Sequence, residues 1–250
     1  MKTKTKNKKN FKNIFFIFTI ISLGLMTACS GTGDTEEMTG ENVTVRFDEL
    51  SFTGIDIGIV SQVSFTRSPE TYIEVTMPDN LMQHLHVDVI EGLFTPTLSS
   101  QMYYTGIEHK PHFHIYAPSL DEIILNGFIT ATEWDKLITD DLKLTVIGSS
   151  NVILEIEVET LEITAQGSPA IGIQGAATYT KIESAGSVNI SAVQLHTENA
   201  HIVKEESGRL DITVIKALVA EVSGDAVVGY VGSPDIVKQV SDNAQVIKLY

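Results

Sequence analysis

The stretch that decides the fold reads LKLTVIGSSNVILEIEVETLEITAQGSPAIGI, from residue 142 to residue 173. Apolar residues alternate with polar ones along it, and glycines interrupt the alternation. Leu142 and Leu144 lead to Gly148, and a second run of the same kind leads to Gly167. Alternation with a period of two residues is typical of β-strands that have one buried and one solvated face. The segment therefore predicts strands joined by tight glycine turns.

The same pattern recurs from about Ser119 to the carboxyl end. Six glycines mark it, at intervals of 21, 19, 19, 22 and 16 residues: Gly127, Gly148, Gly167, Gly186, Gly208 and Gly224. A period near 20 residues indicates a stack of similar coils, in which each coil bonds to its neighbours and glycine makes the bend. We predict an all-β fold, a right-handed parallel β-helix. An antiparallel β-sandwich or a propeller is the alternative, since sandwich strands recur at about half this spacing.

The part of the chain before the regular repeat is also β-rich but less regular. Residues 43–66, 72–77 and 81–90 alternate, whereas residues 101–110 (QMYYTGIEHK) do not and are predicted to form an exposed loop. We therefore expect one β-solenoid domain over residues 43–250. Its N-terminal coils would occupy 43–118 and its regular glycine-turn coils 119–250.

The amino terminus has the features of an export signal. A lysine-rich lead is followed by the apolar run 14–26 and by small residues, which is the pattern of a secretory signal peptide. The 13 apolar residues are fewer than the roughly 20 that a membrane-spanning helix needs. The sequence LMTAC ending at Cys29 resembles a bacterial lipobox, which implies lipidation of Cys29 and cleavage before it. The alternatives are an ordinary signal peptide with a chance cysteine and an N-terminal membrane helix.

The segment after Cys29 is polar and acidic. We expect residues 1–28 to be the lipoprotein signal peptide and residues 29–42 to be a flexible tether, since the tether has too few apolar residues to bury. Its acids also resemble the surface-export signals of Bacteroidetes lipoproteins. Cys29 is the only cysteine, so no disulfide within the chain is possible.

The charge of the chain excludes one class of partner. The formal charge is −15, and beyond residue 29 there are 11 basic against 32 acidic residues, a charge of −21. A surface this acidic repels phosphate backbones, so nucleic-acid binding is not expected.

Several phrases carry a resemblance to a known family. They are the opening FTGIDI from residue 52, IYAPSL from residue 115, VSGDA from residue 222 and YVGSP from residue 230. In this combination the chain resembles the GIN-domain family, described as putative auto-transporter adhesin heads and common in Bacteroidetes lipoproteins. The resemblance covers residues 45–250. It implies a solenoid that presents a surface for adhesion, and the family has no established catalytic residues to carry over.

Two histidine pairs are the candidate metal ligands. His84 and His86 share one face of a predicted strand, and so do His112 and His114. Two such pairs on neighbouring strands would suit a metal ion. The alternative is a set of solvated surface histidines, and we expect neither a metal nor another cofactor.

Aromatic residues supply the candidate surface contacts. Phe94, Tyr103 and Tyr104 would form a patch that binds a sugar or a protein, and Trp134, in a coil connection, is a second candidate contact. The alternative is that they anchor the core or a loop.

No catalytic motif stands out. Enzymes on β-helix scaffolds need grouped carboxylates in a groove, but the acids here are spread along the chain, which has only three arginines. The favoured function is therefore a non-enzymatic, lipid-anchored envelope protein. We expect it at the outer membrane, facing the periplasm or the cell surface, with a glycan or protein ligand. The alternatives are a carbohydrate-active enzyme and a self-associating structural or regulatory envelope protein that forms homo-oligomers.

Overall fold

The structure, a computed structural model, describes residues 40–48, 50–99 and 110–250. The signal peptide, Cys29, most of the tether, Tyr103 and Tyr104 lie outside the described residues. Within them, no helix has the length and apolar character needed to cross a membrane.

The described chain is built almost entirely from strands. The exception is α1 (Asp79–Met82), one turn of helix. The strands are β1 (Asn42–Phe47), β2 (Gly54–Ile57), β3 (Ser61–Arg67), β4 (Tyr72–Pro78), β5 (Leu85–Ile90), β6 (Leu93–Leu98), β7 (His112–Ala117), β8 (Glu122–Gly127), β9 (Ile129–Trp134), β10 (Leu137–Ile138), β11 (Asp141–Gly148), β12 (Asn151–Gly167), β13 (Ala170–Gly186), β14 (Asn189–Lys204), β15 (Arg209–Val222), β16 (Val227–Val231), β17 (Asp235–Val240) and β18 (Gln245–Lys248).

The strands from β8 onward stack in parallel. β11 pairs with β8 and with the second half of β12, and the long strands β12 to β15 then pair in turn. This arrangement is a β-solenoid of about seven turns, so the predicted parallel β-helix is confirmed. The sandwich and propeller alternatives are wrong, because the repeats pair in parallel with the coils before and after them.

The coils form two stacked series of strands. Sheet I contains the strands that lead into the glycine bends: β6, β2, β8, β11, the second halves of β12 to β15, and β17. Sheet II contains the strands that follow the bends: β1, β4, β7, β3, β9, β10, the first halves of β12 to β15, β16 and β18. The remaining strand, β5, pairs with β6 at the end of sheet I. Alternate side chains of both sheets point inward and form one apolar core, for example Leu144, Ile163 and Ile212.

The N-terminal coils are not stacked in chain order. β2 pairs with both β6 and β8, and β3 pairs with both β7 and β9. The coil made by β2 and β3 therefore lies between two coils that follow it in the sequence. Beyond it the pairing becomes antiparallel, in the pairs β1–β4, β4–β7 and β5–β6. This end is the less regular part that the sequence predicts.

The bends between the sheets form a ladder of left-handed backbone conformations. Gly127, Gly148, Gly167 and Gly186 all have positive φ and lie in register. A Cβ on Gly167 would lie 2.6 Å from the carbonyl oxygen of Gly148, so a side chain does not fit there. The backbone N–H after each glycine donates to the carbonyl of the glycine one coil earlier, as in Ser168 to Gly148 at 2.8 Å.

At the next position in this ladder the sequence prediction, which placed the bend at Gly208, is wrong. Glu206, with φ of 67°, occupies it instead of Gly208. The N–H of Ser207 donates to the carbonyl of Gly186, and the N–H of Asp225 donates to that of Glu206. Gly208 lies two residues later, against Val188. The uneven glycine intervals thus arise because a residue with a side chain makes one of the bends.

A row of stacked rings on the outer face of sheet II

Four rings form a row on the outer face of the N-terminal strands of sheet II. β7 reads HFHIYA, and its alternation buries Phe113 and Ile115. His112, His114 and Tyr116 therefore point outward. β4 lies antiparallel beside β7 and places Tyr72 directly opposite Tyr116. We call Tyr72, Tyr116, His114 and His112 the ring row.

The rings stack on one another in that order. The ring centroids of Tyr72 and Tyr116 are 4.2 Å apart, those of Tyr116 and His114 are 4.2 Å apart, and those of His114 and His112 are 5.8 Å apart. The interplanar angles are 12°, 22° and 14°. The guanidinium carbon of Arg46 lies 3.5 Å from the centroid of Tyr72 and ends the row with a cation–π contact. Each ring is thus held by a neighbour on at least one side.

Hydroxyl groups of β3 fix the imidazoles. The Oγ of Ser64 is 2.7 Å from Nε2 of His112, and Oγ1 of Thr66 is 2.8 Å from Nε2 of His114. On its other side, Nδ1 of His114 is 3.2 Å from the hydroxyl of Tyr116. The tyrosine hydroxyl also donates to Oε2 of Glu74 at 3.4 Å. The row is therefore preorganised from two neighbouring strands.

The two histidines of the row have lowered pKa values. Burial lowers the pKa of His112, and the neighbouring His114 lowers it further, while Glu133 opposes the shift. Burial also lowers the pKa of His114, against the opposing charges of Glu74, Glu133 and Asp135. The lowered pKa values favour the uncharged form of both rings.

The two predicted histidine pairs are not brought together. His86 lies on β5, opposite Thr97 of β6, whereas His112 and His114 lie on β7 between β3 and β4. His84 precedes β5, and its Nδ1 is 3.3 Å from Oγ of Ser99. Across the described residues, no group of three or more His, Cys, Asp or Glu side chains is placed to hold a metal ion.

The predicted aromatic contacts have a different role. Phe94 is fully buried, and its ring contacts those of Phe52 and Phe113, so the prediction that it forms a surface contact is wrong. It is a core residue because it faces inward on β6. Trp134 is half-buried, stacks on Phe65 at 5.6 Å and donates its Nε1–H to the carbonyl of Val63 at 3.0 Å. It anchors β9 to β3.

Sequence reasoning missed the two tyrosines of the row. The alternation in β7 assigns Tyr116 to the outer face, which was visible in the sequence. No sequence pattern showed that β4 packs antiparallel against β7, and this pairing is what brings Tyr72 onto Tyr116.

Acids gather at two places on the solenoid, the depression described next and a second one, of about 640 Å³, that is lined by Asp140, Glu157, Glu159 and Glu198. A depression of about 570 Å³ beside sheet I is lined by five of them: Asp121, Glu122, Asp140, Asp141 and Glu162. All but Glu122 are exposed to solvent. A general acid for glycoside hydrolysis needs an environment that raises its pKa, such as burial in an apolar pocket. The acids of this depression lie on an open, largely solvated wall and not in an apolar pocket.

The fold and the ring row together define a solenoid with a preorganised outer face, and comparison with known proteins places it in a family. The family model described as "Putative auto-transporter adhesin, head GIN domain" matches residues 51–234. The chain belongs to this family. A comparison with curated proteins finds no match.

Solved structures share the fold. A putative adhesin from Bacteroides fragilis is 23% identical with a TM-score of 0.77, and the match covers 85% of this chain and 99% of that chain. A putative adhesin from Parabacteroides merdae is 18% identical with a TM-score of 0.66, covering 87% and 100%. A putative lipid binding protein from Parabacteroides distasonis is 18% identical with a TM-score of 0.64, covering 86% and 100%. At these identities the likeness is one of fold.

Proposed function

We propose that the protein is a non-enzymatic, lipid-anchored protein of the cell envelope that binds its partner through the outer face of sheet II. The observation that carries this proposal is the ring row with its cation and hydroxyl partners. Membership of the adhesin family supports a role at the cell envelope or surface.

The ring row suits binding for two physical reasons. Its rings are held by stacking and hydrogen bonds, so little conformational entropy is lost when a partner binds. Tyrosine offers both apolar area and a hydrogen-bonding group, which is why it is enriched at binding surfaces. Both histidines have lowered pKa values, which favours uncharged rings, and Arg46 and Glu74 are charged groups that contact the row.

The anchor is proposed from the sequence. Acyl chains on Cys29, in the lipobox-like LMTAC, would anchor the protein, and the tether to residue 42 would hold the solenoid clear of the membrane. Loss of [³H]palmitate labelling in Cys29→Ala, with export retained, is the expected result. Equal labelling of both proteins would contradict lipidation at this residue.

The binding role is tested with the full chain on an array of glycans and envelope proteins. Replacing both tyrosines (Tyr72→Ala, Tyr116→Ala) should lower binding at least tenfold, because the stacked row collapses. The matched control is Tyr179→Ala, which removes a half-exposed tyrosine from the outer face of sheet I. Binding that survives the double substitution, or that is lost equally in the control, would refute the role of the ring row.

A further inference from the structure

A second feature lies on the same outer face, further along the stack. The side chains of β12 to β15 leave a depression of about 340 Å³ there. Its lining includes Asn151, Ile153, Gly172, Asn189, Ser191 and Arg209. Ile153, Gly172, Ser191 and Asp211 are successive partners in the parallel register, so the depression crosses four strands.

The fold does not require the glycine at the centre of this depression. Gly172 is not among the residues with positive φ. A Cβ there would lie 3.6 Å from Cγ1 of Ile153, an ordinary van der Waals distance. Gly167 differs, because its Cβ would lie 2.6 Å from a carbonyl oxygen. Glycine inside a strand is destabilising and often marks a place where a ligand approaches the backbone closely.

The walls carry hydrogen-bonding groups around a small apolar floor. The side chain of Ile153 is 50% exposed and forms the floor together with Gly172. The Nε of Arg209 donates to Oδ2 of Asp211 at 2.8 Å, which fixes both charged groups in place. The backbone N–H of Arg209 donates to Oδ1 of Asn189 at 3.1 Å. An apolar floor with a few fixed polar groups is the composition of a site for a small polar ligand.

The charge of the depression selects the kind of ligand. Arg209 and Asp211 neutralise each other, and the other lining residues are uncharged. The whole chain carries a formal charge of −15, which disfavours polyanions. A cationic partner would be drawn instead to the acidic depression beside sheet I. The single exposed large apolar side chain is too little for the core of a protein interface. The class of ligand that fits both the charge and the small apolar area of the depression is an uncharged, polyhydroxylated one.

The depression is connected to the ring row through consecutive register partners. His112 pairs with Gln62, Gln62 with Thr130, and Thr130 with Asn151, which lines the depression. Adjacent strands are about 4.8 Å apart, comparable to the length of one sugar unit in an extended glycan. We infer that the depression at Gly172 is a subsite for an uncharged polysaccharide that lies across the strands of sheet II, along the stack. This inference rests on the proposed function of the same face.

The test measures binding of the full chain to three neutral polysaccharides (a β-glucan, an α-mannan and a galactan), with heparin as the polyanionic comparison. Gly172→Leu fills the depression and is expected to lower binding of at least one neutral polysaccharide at least tenfold. The variant should unfold at the same or a higher temperature, since leucine suits a strand better than glycine. Arg209→Gln removes one wall of the depression and should also weaken binding of the same polysaccharide. It is the test variant if Gly172→Leu does not fold. Thr164→Leu, on the outer face of sheet I, is the matched control.

The outcomes separate the two proposals. Loss in Gly172→Leu and Arg209→Gln but not in Thr164→Leu supports the subsite. The subsite is refuted if no neutral polysaccharide binds, if only heparin binds, or if folded Gly172→Leu binds as well as the unsubstituted protein. If the tyrosine variants of the ring row lose array binding while Gly172→Leu does not, the subsite fails and the proposed function stands. If neither set of variants affects binding, both fail.

Discussion

Glu206 is a non-glycine residue at a bend position, and the hydrogen bonds between coils are nevertheless the same there as at the glycine bends. It has φ of 67° at a ladder position where the preceding four coils use glycine. A left-handed conformation costs a residue with a Cβ about 1–2 kcal/mol. We expect Glu206→Gly to raise the free energy of unfolding by about 0.5–1 kcal/mol, after the larger chain entropy of glycine is subtracted.

Urea unfolding followed by circular dichroism measures this change. Gly167→Ala is the opposite test on the same ladder and should lower the free energy of unfolding by about 2 kcal/mol, because its Cβ meets a backbone oxygen. If Glu206→Gly instead lowers the free energy of unfolding, the assignment of residue 206 to the bend is wrong.

Lys204 is a buried cation, and no carboxylate of the described residues pairs with it. Its side chain is fully buried, and its Nζ donates to the carbonyl of Val188 at 2.9 Å. Burial lowers its pKa to about 8. In the unfolded chain the pKa of lysine is about 10.4, so between these values the unfolded state binds more protons. Stability therefore rises with pH across this window, and below pH 8 the burial of the charge opposes folding in full.

Lys204→Met removes this titration. From pH 7 to pH 10, the free energy of unfolding of the unsubstituted protein should rise by about 2 kcal/mol relative to that of the variant. Urea unfolding at both pH values gives the difference. Lys143→Met, at an exposed lysine, is the control for the lysine-to-methionine substitution itself. Parallel pH dependences for the unsubstituted protein and Lys204→Met would contradict the account of Lys204.

At the scale of elements, the last coil carries its own protection against pairing. In β17, Lys238 is the register partner of the buried Ala220. It therefore occupies a position that faces the core in the preceding coil. In β18, Lys248 stacks on Tyr230, and its Nζ donates to Oγ of Ser233 at 3.2 Å. Charged side chains at inward positions of edge strands disfavour the addition of another strand.

Replacing both lysines should expose two apolar edges. We expect Lys238→Val with Lys248→Val to associate end to end, with an average mass that rises with concentration above that of the unsubstituted protein. Light scattering after size-exclusion chromatography measures it, and Lys143→Val is the control. If the double variant has the same mass as the unsubstituted protein at every concentration, these lysines do not protect the end.

The sequence predicted the strands better than it predicted their order. Alternation and the glycine period were sufficient for the parallel coils from β8 onward, because like residues recur at the same position of each coil. The placement of β2 and β3 between later coils was not predictable, since alternation records which face is buried but not which strand lies alongside. The ring row was predictable only in part, for the same reason. The alternation in β7 indicates which of its residues point outward, but it does not indicate that β7 pairs with β4.

At the scale of the whole molecule, the two faces differ in character. The outer face of sheet I lies beside the acidic depression and carries solvated acids such as Glu162 and Glu221. The outer face of sheet II also carries acids, such as Glu74 and Glu155, but it has in addition the ring row and the depression at Gly172. The stack holds these features in fixed register, since each coil is bonded to the next. We therefore propose that partners bind to the outer face of sheet II and not to that of sheet I.

Comparing bulky substitutions on the two faces tests this claim most directly. Thr76→Trp and Thr130→Trp enlarge outward residues of sheet II, and Thr145→Trp and Thr164→Trp do the same on sheet I. Tryptophan is accepted in strands, so all four variants should keep their unfolding temperature. Binding of each full-length variant to the array ligand is the measurement. The account predicts at least a tenfold loss for both sheet II variants and none for the sheet I variants. Equal losses on both faces, or losses on sheet I alone, would contradict it.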